Sequence, residues 1–151
     1  VRTHIVAVGR LKHGAEASLY EHFADRVRPP IQLHAVEDRK ADDKSRRKRE
    51  AELITAAIPD GATIVALDET GRNLTSREFA KRLSHWRDTG TNELVFVIGG
   101  ADGLTDEIRN KATLVMSFGK STWPHLLVRG MLAEQLYRAQ QIHAGHPYHR
   151  D

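Results

Sequence analysis

Residues 94–100 read LVFVIGG, five consecutive apolar residues that stop at Gly99-Gly100. A short, unbroken apolar run predicts a strand buried on both faces, as in a parallel sheet covered by helices. HIVAV (4–8) before Gly9, TIVAL (63–67) before Asp68 and TLVMS (113–117) repeat the pattern, and IQLHAV (31–36) alternates like a half-buried strand. Helical spacing fills the intervals. Leu19, Phe23 and Val27 make one stripe over 15–27, stopped by Pro29-Pro30. A basic helix is expected over 40–57, closed by Pro59-Asp60-Gly61. Thr75 or Ser76 caps a helix through about Arg87, with Glu78 placed for a capping box and Phe79, Leu83 and Trp86 as its stripe. Leu104–Lys111 is a short helix capped by Thr105 or Asp106, and the last helix runs from about His125 to His143. Such alternation predicts one α/β domain over 1–151, with a mostly parallel sheet of about five strands and helices on both faces.

The composition agrees. A chain of 151 residues with 40% hydrophobic and 28% charged residues reads as one globular domain, and excludes wholly disordered, collagenous or coiled-coil chains. No apolar run approaches the roughly 18 residues needed to span a membrane, and no signal-peptide core is present. Cysteine is absent, which excludes disulfides, thiolate metal sites and cysteine nucleophiles and suits a cytoplasmic location. The net charge of +3 is unevenly placed. Residues 39–50, RKADDKSRRKRE, carry +4 and leave the rest at −1. This strip reads either as a solvated helix face, with Asp42 and Asp43 near its start, or as a surface for phosphate.

In open α/β sheets ligands bind beyond the carboxyl ends of the strands. Three loops there are unusual: LDETGRNLTS (67–76), IGGADGLT (98–105) and SFGKSTWPH (117–125). Gly99, Gly100 and Gly103 lack the spacing of a dinucleotide fingerprint. Gly119-Lys120-Ser121 lacks the first glycine of a P-loop, which falls on Leu114. The last helix is apolar nearly all round, from Leu126 to Ala139, and calls for a second cover, most economically another copy of the chain. In the tail, His143, His146 and His149 recur every three residues beside Tyr148, Arg150 and Asp151. Pro147 prevents a helix from aligning them as metal ligands, so no metal site is expected. The tail then reads either as a frayed terminus or as an active-site segment.

FVIGGADGLT (96–105), SFGKSTWPHLLVRGMLAEQLYRA (117–139) and the terminal HPYHRD (146–151) closely resemble the small SPOUT methyltransferases of the RlmH type. These bacterial enzymes methylate ring nitrogen N(3) of a pseudouridine in 23S rRNA. The resemblance runs from IVAVGRLK (5–12) to the last residue. The departures are Gly119, where a serine or alanine is common, and Trp123, where another apolar residue is usual.

The resemblance implies a C-terminal deep trefoil knot, S-adenosyl-L-methionine as cofactor, and a homodimer with the active site between subunits. It implies cofactor contacts from Leu67, Gly99, Phe118, Gly119, Lys120, Ser121, Thr122 and Trp123. It brings His149 and Tyr148 to the target base, with the general base left open between them and a water. Arg150 and Arg138 hold phosphate or developing charge, and His125 shapes the target pocket. The substrate implied is rRNA, probed on assembled ribosomes, rather than DNA or a membrane, with the 39–50 strip on the RNA backbone. A different RNA target, or ribosome binding without catalysis, are the competing expectations.

Overall fold

The computed structural model describes residues 1–39 and 42–151. Five strands, β1 (Arg2–Val8), β2 (Gln32–Val36), β3 (Thr63–Asn73), β4 (Glu93–Ile98) and β5 (Leu114–Ser117), form one sheet in the order β2-β1-β4-β3-β5. Every pairing is parallel, as the unbroken apolar runs predict. The pleat sends alternate side chains to opposite faces. Ile5, Ala7, Val65, Leu67, Phe96 and Met116 pack with α1 (Ala15–Ala24), α3 (Ser76–Asp88) and α5 (His125–His143). Val6, Val8, Ala66, Val95 and Val97 pack on the other face with α2 (Arg46–Ala57) and α4 (Asp106–Lys111). Each fully buried Val, Ile or Phe side chain among them contributes about 1.5–3 kcal/mol. Among the described residues no helix is long and apolar enough to cross a membrane.

Local chemistry sets the boundaries. Thr75 caps α3 in a capping box with Glu78, and Thr105 caps α4. Two expectations need correction. The basic helix does not run from residue 40: α2 begins at Arg46, because the Asp42 carboxylate accepts hydrogen bonds from the Ser45 amide (2.9 Å) and hydroxyl (2.7 Å) and holds a turn ahead of it. Lys40 and Ala41 of the basic strip lie outside the described residues. The third strand does not stop at Leu67. It runs to Asn73, and Leu67 and Arg72 both register with Met116 of β5, so 68–71 loop out at the carboxyl end of the sheet. Gly71 makes this possible, since a Cβ there would lie 2.7 Å from the Met116 backbone.

Helix α5 buries Arg129, Gly130, Leu132, Ala133, Leu136 and Ala139. Gly130 lets α1 approach: a Cβ there would meet the Leu19 side chain at 2.8 Å. Leu126, Leu127 and Met131 of the same helix are only half-buried within one chain.

Candidate functional site

The three glycine-bearing loops converge at the carboxyl ends of β3, β4 and β5. They enclose a cleft of about 820 Å³, within the range of small-molecule sites. Its floor is Leu67, Ile98 and Met116; its walls are 68–70, 99–104 and 117–125, except Lys120. The walls are shaped by main chain. A Cβ on Gly99 would sit 2.8 Å from the Gly103 backbone, so only glycine lets the 99–103 loop fold over itself. The Ser117 hydroxyl donates to the Gly119 carbonyl (2.5 Å) and accepts from its amide (3.0 Å), with Gly119 at φ +122. Thr122 donates to Glu69 (3.0 Å) and ties this loop to the 68–71 excursion. Trp123, 42% exposed, presents an open aromatic face over the cleft.

Carboxylates of Asp68, Glu69 and Asp102 share the lining with Arg47 and Arg109. Both arginines donate to the Leu104 carbonyl at 2.6 Å, and Arg109 also pairs with Asp68 at 3.6 Å, so the cations are engaged in holding the loop. Behind Gly100 lies Glu50, buried, with Oε1 lacking a hydrogen-bond partner among the described residues; burial, reinforced by Asp102, raises its pKa.

His125 opens α5 and lines the cleft. One turn later, Arg129 is completely buried. Its Nη2 donates to the carbonyls of Val8 and Gly9, each at 2.7 Å, while Nε and Nη1 have no partner among the described residues. Arg129 thus binds α5 to the end of β1, where Gly9 (φ +90) leaves room for the His125 ring. Burial, then the Arg129 charge, lowers the His125 pKa, so the imidazole facing the cleft is neutral. Tyr20, beneath Arg129, is pushed up to about 12 by burial. Sequence reading missed Arg129; its one signal is the i, i+4 spacing from His125 inside an apolar helix.

The tail forms a second cluster. Glu134 accepts from Arg138 Nε (2.7 Å) and from the Tyr148 hydroxyl (3.4 Å). The Arg138 guanidinium lies 4.7 Å from the centre of the Tyr148 ring, and Tyr137 meets the same ring edge-on. Arg138 Nη1 lies 3.1 Å from His149 Nδ1, and His149 Nε2 lies 3.0 Å from Asp151, which also receives Arg77 (2.6 Å). A guanidinium only donates, so His149 Nδ1 accepts and the proton sits on Nε2, facing Asp151. Burial and the Glu134 charge raise the Tyr148 pKa, leaving its hydroxyl protonated.

The structure therefore divides the residues singled out from sequence. Leu67, Gly99, Phe118, Gly119, Ser121, Thr122, Trp123 and His125 line the cleft, whereas Lys120 points to solvent. His149, Tyr148 and Arg138 meet one another away from it, and Arg150 is exposed. Glu134, which joins two of them, had only its spacing from Arg138 as a signal. The tail histidines diverge: His143 bonds Ser84 and the Ala80 carbonyl, and His146 accepts from the Tyr148 amide. Among the described residues no group of three His, Asp or Glu converges as metal ligands.

A family model described as "Predicted SPOUT methyltransferase" matches residues 1–149. The chain is 54% identical to a ribosomal RNA large subunit methyltransferase H of Rhodospirillum centenum and 50% identical to one of Paramagnetospirillum magneticum, each over 99% of both chains. It also superposes on the structure of a probable methylase family protein from Haemophilus influenzae. The TM-score is 0.60 at 14% identity, covering 99% of this chain and 70% of that one, which is a likeness of fold.

Proposed function

The chain belongs to the SPOUT methyltransferase family, and on that footing we propose that it methylates ring nitrogen N(3) of a pseudouridine in 23S rRNA, with S-adenosyl-L-methionine as donor. Full-length similarity to large-subunit rRNA methyltransferases supports the substrate class. The observation that carries the reading is the cleft of three main-chain loops at the carboxyl edge of the sheet. It fits the donor: Phe118 and Trp123 offer surface for an adenine ring, and Asp68, Glu69 and Asp102 offer negative charge toward a sulfonium. The neutral His125 adds no repelling cation.

When bound, the cofactor supplies a methyl group already activated by the sulfonium, so the protein has mainly to position the acceptor and receive its proton. The imino nitrogen is a poor nucleophile while protonated. Tyr148 and Arg138 are donors and suit the carbonyl oxygen that gains charge as the proton leaves. Once Arg138 turns to that oxygen, His149 Nδ1 is freed as an acceptor for the proton, with Asp151 holding the ring by Nε2–H. Arg150 is free to meet phosphate.

Since no residue of the tail cluster lines the cleft of its own chain, the reading calls for a homodimer in which each tail completes its partner's cleft. The half-buried Leu126, Leu127 and Met131 on α5 suit such an interface. A C-terminal deep trefoil knot accords with the family. The enzyme would act in the cytoplasm on ribosomes. Purified protein given ribosomes lacking the modification and labelled S-adenosyl-L-methionine should transfer the label to one nucleotide, mapped by mass spectrometry to N(3) of a pseudouridine. Label at another atom would change the substrate, and no label would end the reading.

A further inference from the structure

We infer that the β1–α1 loop, residues 9–14, grips the RNA backbone at the rim of the cleft, ahead of the basic strip on α2. This inference rests on the RNA-substrate reading. The loop reads Gly-Arg-Leu-Lys-His-Gly, with no carboxylate between Gly9 and Ala15. Arg10, Lys12 and His13 are all exposed, and none makes an ion pair among the described residues.

Its backbone is fixed at several points. The buried Arg129 holds the carbonyls of Val8 and Gly9, and the Gly9 amide donates to the Val36 carbonyl at 2.8 Å. Leu11 packs against the larger core, which turns its neighbours Arg10 and Lys12 outward. The Gly14 carbonyl accepts from Ser18 as α1 begins (3.1 Å). Cations on a fixed backbone lose less conformational entropy on binding than cations on a free loop. The loop also borders the catalytic space, since the Cβ position of Gly9 is 3.4 Å from His125 Nε2.

The α2 strip has a different character. Arg39 pairs with Glu37 (3.4 Å), Arg46 with Asp43 (2.6 Å), and Arg49 with both Asp38 (3.0 Å) and Glu52 (3.2 Å). Arg47 is turned to the Leu104 carbonyl. Of the strip's described cations, Lys44 and Lys48 remain for phosphate. The +4 counted along the sequence is largely offset by carboxylates that flank the strip in space. In the 9–14 loop no cation is paired among the described residues, and the flanking carboxylate, Glu16, lies by Gly14 at the start of α1.

The test compares Arg10→Ala/Lys12→Ala with Arg46→Ala/Arg49→Ala in the full chain. The probe is an rRNA fragment carrying the methylated loop, with affinity measured against salt and cofactor binding followed by calorimetry. Each lost phosphate contact lowers the salt slope by about 0.7 on single-stranded RNA. The loop variant should lose about one to two in slope, raise the KM for RNA and keep the cofactor Kd; the α2 variant should lose less. Arg10→Lys/Lys12→Arg, which keeps the charge, should keep the wild-type slope. An unchanged slope in the loop variant, or a larger loss in the α2 variant, overturns the inference while leaving the enzyme reading intact. Loss of ribosome affinity with unchanged fragment affinity would indicate a ribosomal-protein contact and also overturns it. A wild type that binds neither the fragment nor ribosomes overturns both.

Discussion

The cleft and the tail cluster are built by opposite means. The cleft is a main-chain structure: Gly71 and Gly99 let backbone pass close to backbone, Gly119 turns at φ +122, and side chains such as Trp123 stand open above it. The tail cluster is a side-chain structure, in which Glu134, Arg138, Tyr148, His149 and Asp151 satisfy one another. A main-chain site is preorganised by the fold and tolerates no added atom. A side-chain network can exchange internal partners for a substrate.

This contrast can be broken most severely at Gly99. Gly99→Val should abolish cofactor binding by calorimetry, because its Cβ would drive apart the 99–103 loop; retained binding would mean the wall is not rigid. Gly71→Ala should lower stability by about 2–4 kcal/mol, read as a fall in denaturation midpoint, since the clash is with the β5 backbone. Next is Glu134→Gln, which frees Arg138 and Tyr148 without touching the cleft. It should lower kcat about tenfold or more and leave the cofactor Kd within twofold. Trp123→Ala removes one stacking face and should weaken ligand binding by about 1–3 kcal/mol with the fold unchanged.

The smallest effect is of pH. His125 has a folded pKa below its ordinary value, so its contribution to stability is complete above the ordinary imidazole range and is lost as pH falls through that range. Asp151, held low by Arg77 and then His149, contributes above the ordinary carboxylate range and loses its contribution at still lower pH. Acid titration followed by NMR should therefore disturb the surroundings of His125 before the carboxylate at Asp151. The reverse order would contradict these assignments.

Much of the cleft was legible in the sequence, because strands buried on both faces are unbroken apolar runs and the glycines follow them directly. That rule places the loops that hold Leu67, Gly99 and Phe118; their expected part in cofactor binding comes from the family resemblance. The α2 start was misread because the apolar and basic pattern does not record an Asp42–Ser45 turn. The extension of β3 to Asn73 was hidden because DETGRN lacks the apolar signal of a strand and pairs only after a register shift. Arg129 was overlooked because a buried arginine contradicts the general rule that such residues lie outside. The tail histidines suggested reactivity, but their divergence, and their absence from the lining of the chain's own cleft, belong to tertiary structure.

Under the proposed function, cleft and tail act together only across two copies of the chain. Gly99→Val disables the cleft and His149→Ala disables the tail, so each homodimer should be inactive. Co-expressed, half the dimers are mixed, and each mixed dimer has one cleft and one tail intact at the same site. Methyl transfer should return to about a quarter of the wild-type level. A mixture as inactive as its parents would mean that no active site is shared between two chains.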